Sequence, residues 1–214
     1  LRRRQKMFKE SIAFFNRCAN VTPLCFEINY YKALSCLDSG DSAQALEIGE
    51  RLLSSNSQNV NLLQLCAEAS YAQGNASNTE MYVSRVLQLE PENSRYVLFR
   101  VRLLVNRGDY IKASSLLDVY SRTNQTDREY LLLRAKLQKD WNKNNTAAIS
   151  TMTQALALYP DDTEVIAFAA RIASEANQSI NGMSAYELAD RILADDSSNL
   201  EALVISVNEM TKQN

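Results

Sequence analysis

The sequence predicts an all-α fold, a solenoid of antiparallel helix hairpins, and three observations carry that expectation. Glycine and proline are scarce, 5 and 3 in 214 residues, too few for the turns of an all-β fold. Gly40, Gly74 and Gly108 recur at intervals of 34 residues, each ending an apolar run and each followed by a polar residue, Asp41, Asn75 or Asp109. Pro23, Pro91 and Pro160 keep the same clock at 68 and 69 residues, two periods apart. A fixed period of this length marks stacked hairpins, none of which buries its apolar face alone.

The elements follow from that period in order. Residues 7–25 read as the second helix of an incomplete unit, with Phe8, Ser11, Phe15 and Cys18 at recurring positions and Pro23 as its stop. Residues 26–59, 60–93 and 94–127 form three hairpins without insertions. In each, glycine suits the left-handed backbone that closes the first helix, and the polar residue after it is expected to cap the second. The fourth unit, 128–162, carries one extra residue in its "WNKNN" turn, and the fifth, 163–199, carries three in "ANQSING". Residues 200–212 read as a first or capping helix without its partner. Small residues mark the close approaches between helices: Ala33, Ala67, Ala45, Ala113, Ala148, Ala155, Ala170 and Ala185. Residues 1–214 are therefore expected to form a single solenoid, and a half-unit at each end suggests a fragment of a longer protein.

Composition narrows the function classes. Hydrophobic residues make up 46% and charged residues 22%, as in a globular protein, and the net charge of −2 offers no basic surplus for phosphates, so no nucleic-acid partner is expected. Histidine is absent, which removes His-based triads and His-ligated zinc. Cys18, Cys25, Cys36 and Cys66 show no metal-type pairing, and they read as free thiols packed as small apolar side chains in a reducing, cytoplasmic compartment. No cofactor or metal is expected. No window approaches the roughly 18 apolar residues of a membrane span. The basic group Arg2, Arg3, Arg4, Lys6 and Lys9 after Leu1 reads either as a solvated helix end or as the cytoplasmic flank of a membrane anchor upstream.

The spacing, the recurring small residues and the segments "LQLEPEN" (87–93) and "LALYPDD" (156–162) make the chain resemble the tetratricopeptide repeat family. Val101, Thr79 and Gly49 depart from that family's pattern, Gly49 standing where an aromatic or large residue is usual. The resemblance implies a right-handed superhelix whose first helices line a concave groove that takes extended peptides or helices. Carried over by position, the groove candidates are Tyr30, Gln64, Tyr71, Arg95, Leu98, Arg102, Leu132, Lys136 and Arg171. Arg102, Lys136 and Arg171 share one position in three consecutive units and read as a basic row suited to an acidic peptide. Alternatively, Lys136 with Asp140 and Arg171 with Glu175 form solvated pairs four residues apart along their helices. The Lys and Asn of the family's chaperone-tail clamp are replaced by Tyr30, Leu34 and Leu65, so that ligand is not expected. Asp161 and Asp162 read as helix caps rather than a catalytic pair, and Trp141 as a turn residue covering an apolar gap.

The functional expectation is a non-catalytic protein–protein interaction scaffold that binds a peptide or helix in the groove. Two alternatives stay open: a docking or regulatory module of a larger membrane-anchored assembly or enzyme, and a structural domain that self-associates through its uncapped ends.

Overall fold

Apolar side chains recurring every three to four residues and polar residues at each break produce short amphipathic helices, and the computed structural model describes them over residues 7–22, 25–122 and 124–212. Leu1, the basic residues Arg2, Arg3, Arg4 and Lys6, and Pro23 lie outside the described residues. Twelve helices are present among those described: α1 Phe8–Val21, α2 Phe26–Asp38, α3 Ser42–Leu53, α4 Val60–Ala72, α5 Ala76–Leu89, α6 Ser94–Asn106, α7 Tyr110–Tyr120, α8 Arg128–Asp140, α9 Asn145–Leu158, α10 Thr163–Ala176, α11 Ala185–Asp195 and α12 Leu200–Lys212. The fold class is the expected all-α hairpin solenoid. No described helix is long and apolar enough to cross a membrane.

The three glycines act as the sequence predicts. Gly40, Gly74 and Gly108 take φ of +89°, +72° and +77°, and behind each the chain turns back onto its own helix. The amides of Asp41, Asn75 and Asp109 donate to the carbonyls of Cys36, Ser70 and Leu104 at 2.9, 3.0 and 2.9 Å, which satisfies carbonyls that a helix end leaves open. The "WNKNN" turn has no glycine, so Lys143 takes the left-handed conformation instead, at φ 52°. The longer "ANQSING" turn uses Asn177, Asn181 and Gly182 at positive φ and folds into one bridge between Ile180 and Met183, with Ile180 fully buried.

Capping follows the polar residues with one exception. The side chains of Asp41, Asn59, Asn75, Asp127, Asn144, Asp162 and Ser184 each accept an amide of the helix they precede. Asp109 does not cap α7. Its carboxylate pairs instead with the Lys112 ammonium at 2.8 Å, three residues on.

By packing the chain forms two compact units, Leu1–Leu103 and Leu104–Asn214. In the first, α1 packs on α2, α2 on α3 and α4, α3 on α4, and α4 on α5, around a core of Ala33, Ile48, Leu62, Leu63, Cys66, Ala67, Val83 and Tyr96. In the second, α7 packs on α8, α8 on α9, α9 on α10, α10 on α11, and α12 on both α10 and α11. The small residues singled out in the sequence are all buried, Ala33, Ala67, Ala45, Ala113, Ala148, Ala155, Ala170 and Ala185 alike. Their size lets backbones approach where a longer side chain would hold them apart.

Side chains also bond successive hairpins to each other. Tyr82 donates to Glu50 at 2.7 Å and Tyr96 to Glu68 at 3.1 Å in the first unit. Arg128 donates to Asp162 at 2.6 Å and the Tyr159 hydroxyl to the Thr126 carbonyl at 2.7 Å in the second. Each pair lies between 28 and 34 residues apart, about one repeat.

Candidate partner-binding surface

First helices carry every candidate residue: α2, α4 and α6 hold Tyr30, Gln64, Tyr71, Arg95, Leu98 and Arg102, and α8 and α10 hold Leu132, Lys136 and Arg171. In the first unit, Tyr30 on α2 stacks on Phe26 at 5.9 Å and meets Tyr31 edge-on at 5.5 Å, and Tyr31 stacks in turn on Phe15 of α1 at 6.3 Å. Tyr71 at the end of α4 is exposed and stands edge-on to Phe99 of α6 at 5.2 Å. Arg95 pairs with Glu68 at 2.8 Å. Glu68 also accepts the Tyr96 hydroxyl, and burial followed by the Glu68 charge pushes that phenol far above its ordinary value. Gln64 is half-buried, and its backbone carbonyl accepts the Tyr96 hydroxyl at 3.2 Å. Arg102 is half-buried on α6. Leu98 is buried, so its side chain packs inward instead of lining an open surface.

In the second unit Leu132 is buried in the same way. Lys136 and Arg171 do not make the pairs along the helix that the sequence allowed. Lys136 donates to Asn106 at 3.4 Å, and Arg171 lies over the Phe168 ring at 4.8 Å with its guanidinium 3.6 Å from Glu201 of α12. Asp140 and Glu175 are instead approached by Lys139, at 3.9 and 2.7 Å. Apart from the Lys139–Asp140 contact, these polar partners lie on other helices, about one repeat away.

A shallow concavity lies within the second unit. A groove of about 410 Å³ runs between α10 and α12, with Leu200, Val204 and Ile205 supplying apolar surface and Arg171, Glu175 and Glu201 among its polar groups. Beneath it, Ser174 donates to Glu209 at 2.5 Å and Lys212 donates to the Ser174 carbonyl at 2.8 Å. Burial raises the Glu209 carboxyl, but hydrogen bonds from Lys212 and Ser174 outweigh it and hold the group below its ordinary value. Arg171 is the one sequence candidate in this groove. Leu200, Glu201 and Val204 are not among the sequence candidates, because the groove positions are carried over only as far as the fifth unit, although 200–212 reads as a first or capping helix; Asn199 caps it as Asp162 caps α10.

A Tetratricopeptide repeat family model matches residues 72–137. Comparison with curated proteins gives no match. Among solved structures, a tetratricopeptide repeat protein from Parabacteroides merdae is 14% identical and superposes with a TM-score of 0.72 over 98% of this chain and 88% of its own. PilF from Pseudomonas aeruginosa is 14% identical with a TM-score of 0.72, over 96% of this chain and 92% of that one. YrrB, described as a tetratricopeptide repeat protein with an unusual peptide-binding site, is 14% identical with a TM-score of 0.57 over 89% of this chain and 96% of its own. At such identities the likeness concerns the fold. Residues 72–137 thus carry the sequence pattern of the tetratricopeptide repeat family, and the chain shares the helix-hairpin fold of tetratricopeptide repeat proteins.

Proposed function

We propose that the chain is a non-catalytic protein–protein interaction scaffold whose first helices receive a peptide or a helix. The observation that carries this reading is the groove between α10 and α12, where apolar Leu200, Val204 and Ile205 are bordered by Arg171, Glu175 and Glu201. An apolar floor with a mixed polar rim suits an amphipathic segment, which gains from burial below and from orienting hydrogen bonds at the edge. YrrB has a related fold and a peptide-binding site by its description, which adds support to a peptide ligand here. Arg171 already faces Glu201, so an acidic group of the partner gains that cation only by displacing Glu201.

Peptides selected from a random library on the purified chain supply the probe, and their affinity is measured against variants. Val204→Asp puts a charge on the groove floor and is expected to weaken binding at least tenfold, about 1.4 kcal/mol. Arg171→Glu is expected to weaken acidic peptides more than neutral ones. Equal binding to Val204→Asp and the unaltered chain would place the partner elsewhere.

A further inference from the structure

Three charged side chains line the groove between α10 and α12, one cation and two carboxylates: Arg171, Glu175 and Glu201. Their exposure and pairing decide which sign a partner meets. Lys139 of α8 reaches both oxygens of Glu175, at 2.9 and 2.7 Å, yet its side chain is only 18% accessible while that of Glu175 is 50% accessible. The pair therefore buries its ammonium and turns its carboxylate outward. The same order holds at the start of α10, where Glu164 is more exposed than the Arg128 that pairs with it.

Glu201 is held more loosely. The Arg171 guanidinium approaches it at 3.6 Å, beyond hydrogen-bond length, so the carboxylate keeps acceptor sites for a donor from outside. Arg171 itself lies over the Phe168 ring of its own helix at 4.8 Å, a contact that attracts the guanidinium to the ring face. Other cations do not offset the two carboxylates at the groove. Lys212 is engaged by Glu209 at 2.6 Å and by the Ser174 carbonyl at 2.8 Å, and Lys136 is not among the lining residues.

We propose that the partner of this groove is a basic amphipathic segment, with apolar side chains on Leu200, Val204 and Ile205 and Lys or Arg side chains on Glu201 and Glu175. This assignment of charge rests on the groove reading above. A basic side chain adds to the contacts already present, since Glu201 can accept from it without releasing Arg171. An acidic one must displace Glu201 from Arg171 and then face two carboxylates, and like charges brought together across an interface are costly. Sequence position alone suggests the opposite sign, because Arg102, Lys136 and Arg171 share one place in the repeat. The carboxylates that reverse it stand on α12 and in the last turn of α10.

The test takes a peptide selected on the chain whose binding Val204→Asp weakens, and prepares it with its polar positions as Lys, Gln or Glu. Affinities are measured by fluorescence anisotropy on the unaltered chain and on the double variant Glu175→Gln, Glu201→Gln, at low and at physiological salt. Both positions are exposed, so the double variant is expected to keep its helical circular dichroism. On the unaltered chain the Lys form should bind roughly tenfold tighter than the Gln form at low salt, and the Glu form more weakly than either. Salt should narrow that spread. On the double variant, where Arg171 and Lys139 lose their carboxylates, the Glu form should bind tighter than the Lys form while the Gln form keeps its affinity. A Glu form that binds the unaltered chain as tightly as the Lys form overturns the proposal. So does a double variant that still prefers Lys, because the preference then arises from charges outside the groove. Either result leaves the groove reading standing, since Val204→Asp still weakens the Gln form. Selected peptides that all ignore Val204→Asp overturn the groove reading, and the charge assignment with it.

Discussion

At Gly49 the structure reverses what the residue suggested in sequence. An aromatic or large residue is usual at that place in the repeat, and glycine inside a helix costs about 1 kcal/mol relative to alanine. A Cβ at this position would lie 2.7 Å from both Cys66 Sγ and Leu65 Cδ2. Both neighbours are buried in the first unit's core, and burial, with the Glu50 charge adding, pushes the Cys66 thiol up to about 12. Gly49 is therefore what lets α3 approach α4. Overpacking costs roughly 1–3 kcal/mol, against the roughly 1 kcal/mol of helix propensity that alanine recovers. Gly49→Ala is expected to lower stability by about 1 kcal/mol in urea unfolding, and pairing it with Cys66→Ala should cost less than the sum of the two changes. A more stable Gly49→Ala chain would mean the core yields without strain. The sequence shows a missing side chain; which side chain fills its volume depends on a residue 17 positions away, and no local pattern records that.

Helix ends were the most legible level, because a cap needs only residues within one turn. Asp41, Asn75 and Asp162 cap as their positions imply. Asp109 departs because Lys112 captures its carboxylate, and Lys136 and Arg171 depart because their partners lie in other helices. The groove on α10 was only partly legible for the same reason: its α12 wall depends on which helix comes to lie alongside. Asp162 links the two levels, accepting the Val165 amide at 3.0 Å as a cap while taking Nε and Nη2 of Arg128 at 2.6 and 3.0 Å. Burial raises its carboxyl, but the hydrogen bonds from Arg128 and then Val165 prevail and the net shift is downward. A lowered carboxyl stabilises the fold above its unfolded value, near 3.9, and loses that contribution as pH falls through the folded value. Asn also caps, so Asp162→Asn mainly removes the charge facing Arg128, worth about 1 kcal/mol at neutral pH for a partly exposed pair. Stability measured from pH 7 to pH 2 should show the unaltered chain ahead at neutral pH and the two curves converging below about pH 4. A gap that persists unchanged to pH 2 would assign the effect to packing rather than charge.

Across the whole molecule, packing stays between neighbouring helices within each compact unit, and side-chain bonds such as Lys212 to Ser174, 38 residues apart, reach about one repeat. Stability in such an array is close to a sum of local interfaces, so a helix covered on one side should open before one covered on both. In the second unit α10 packs against α9, α11 and α12 and buries Val165, Ile166, Phe168, Ala169, Ala170, Ile172 and Ala173. By contrast α12 buries only Ala202, Ile205 and Ser206, and Ser206 Oγ has no hydrogen-bond partner among the described residues. An orphaned buried hydroxyl costs about 1–3 kcal/mol, which leaves Ile205 as the main anchor. Amide exchange in dilute solution is therefore expected to be faster throughout α12 than in α10. Ile205→Ala, at about 2–5 kcal/mol for a buried truncation, should bring α12 close to unprotected exchange while α10 keeps most of its protection. Exchange equally slow in α12 and α10 would contradict the nearest-neighbour picture itself, because three buried residues could not hold a helix as firmly as seven.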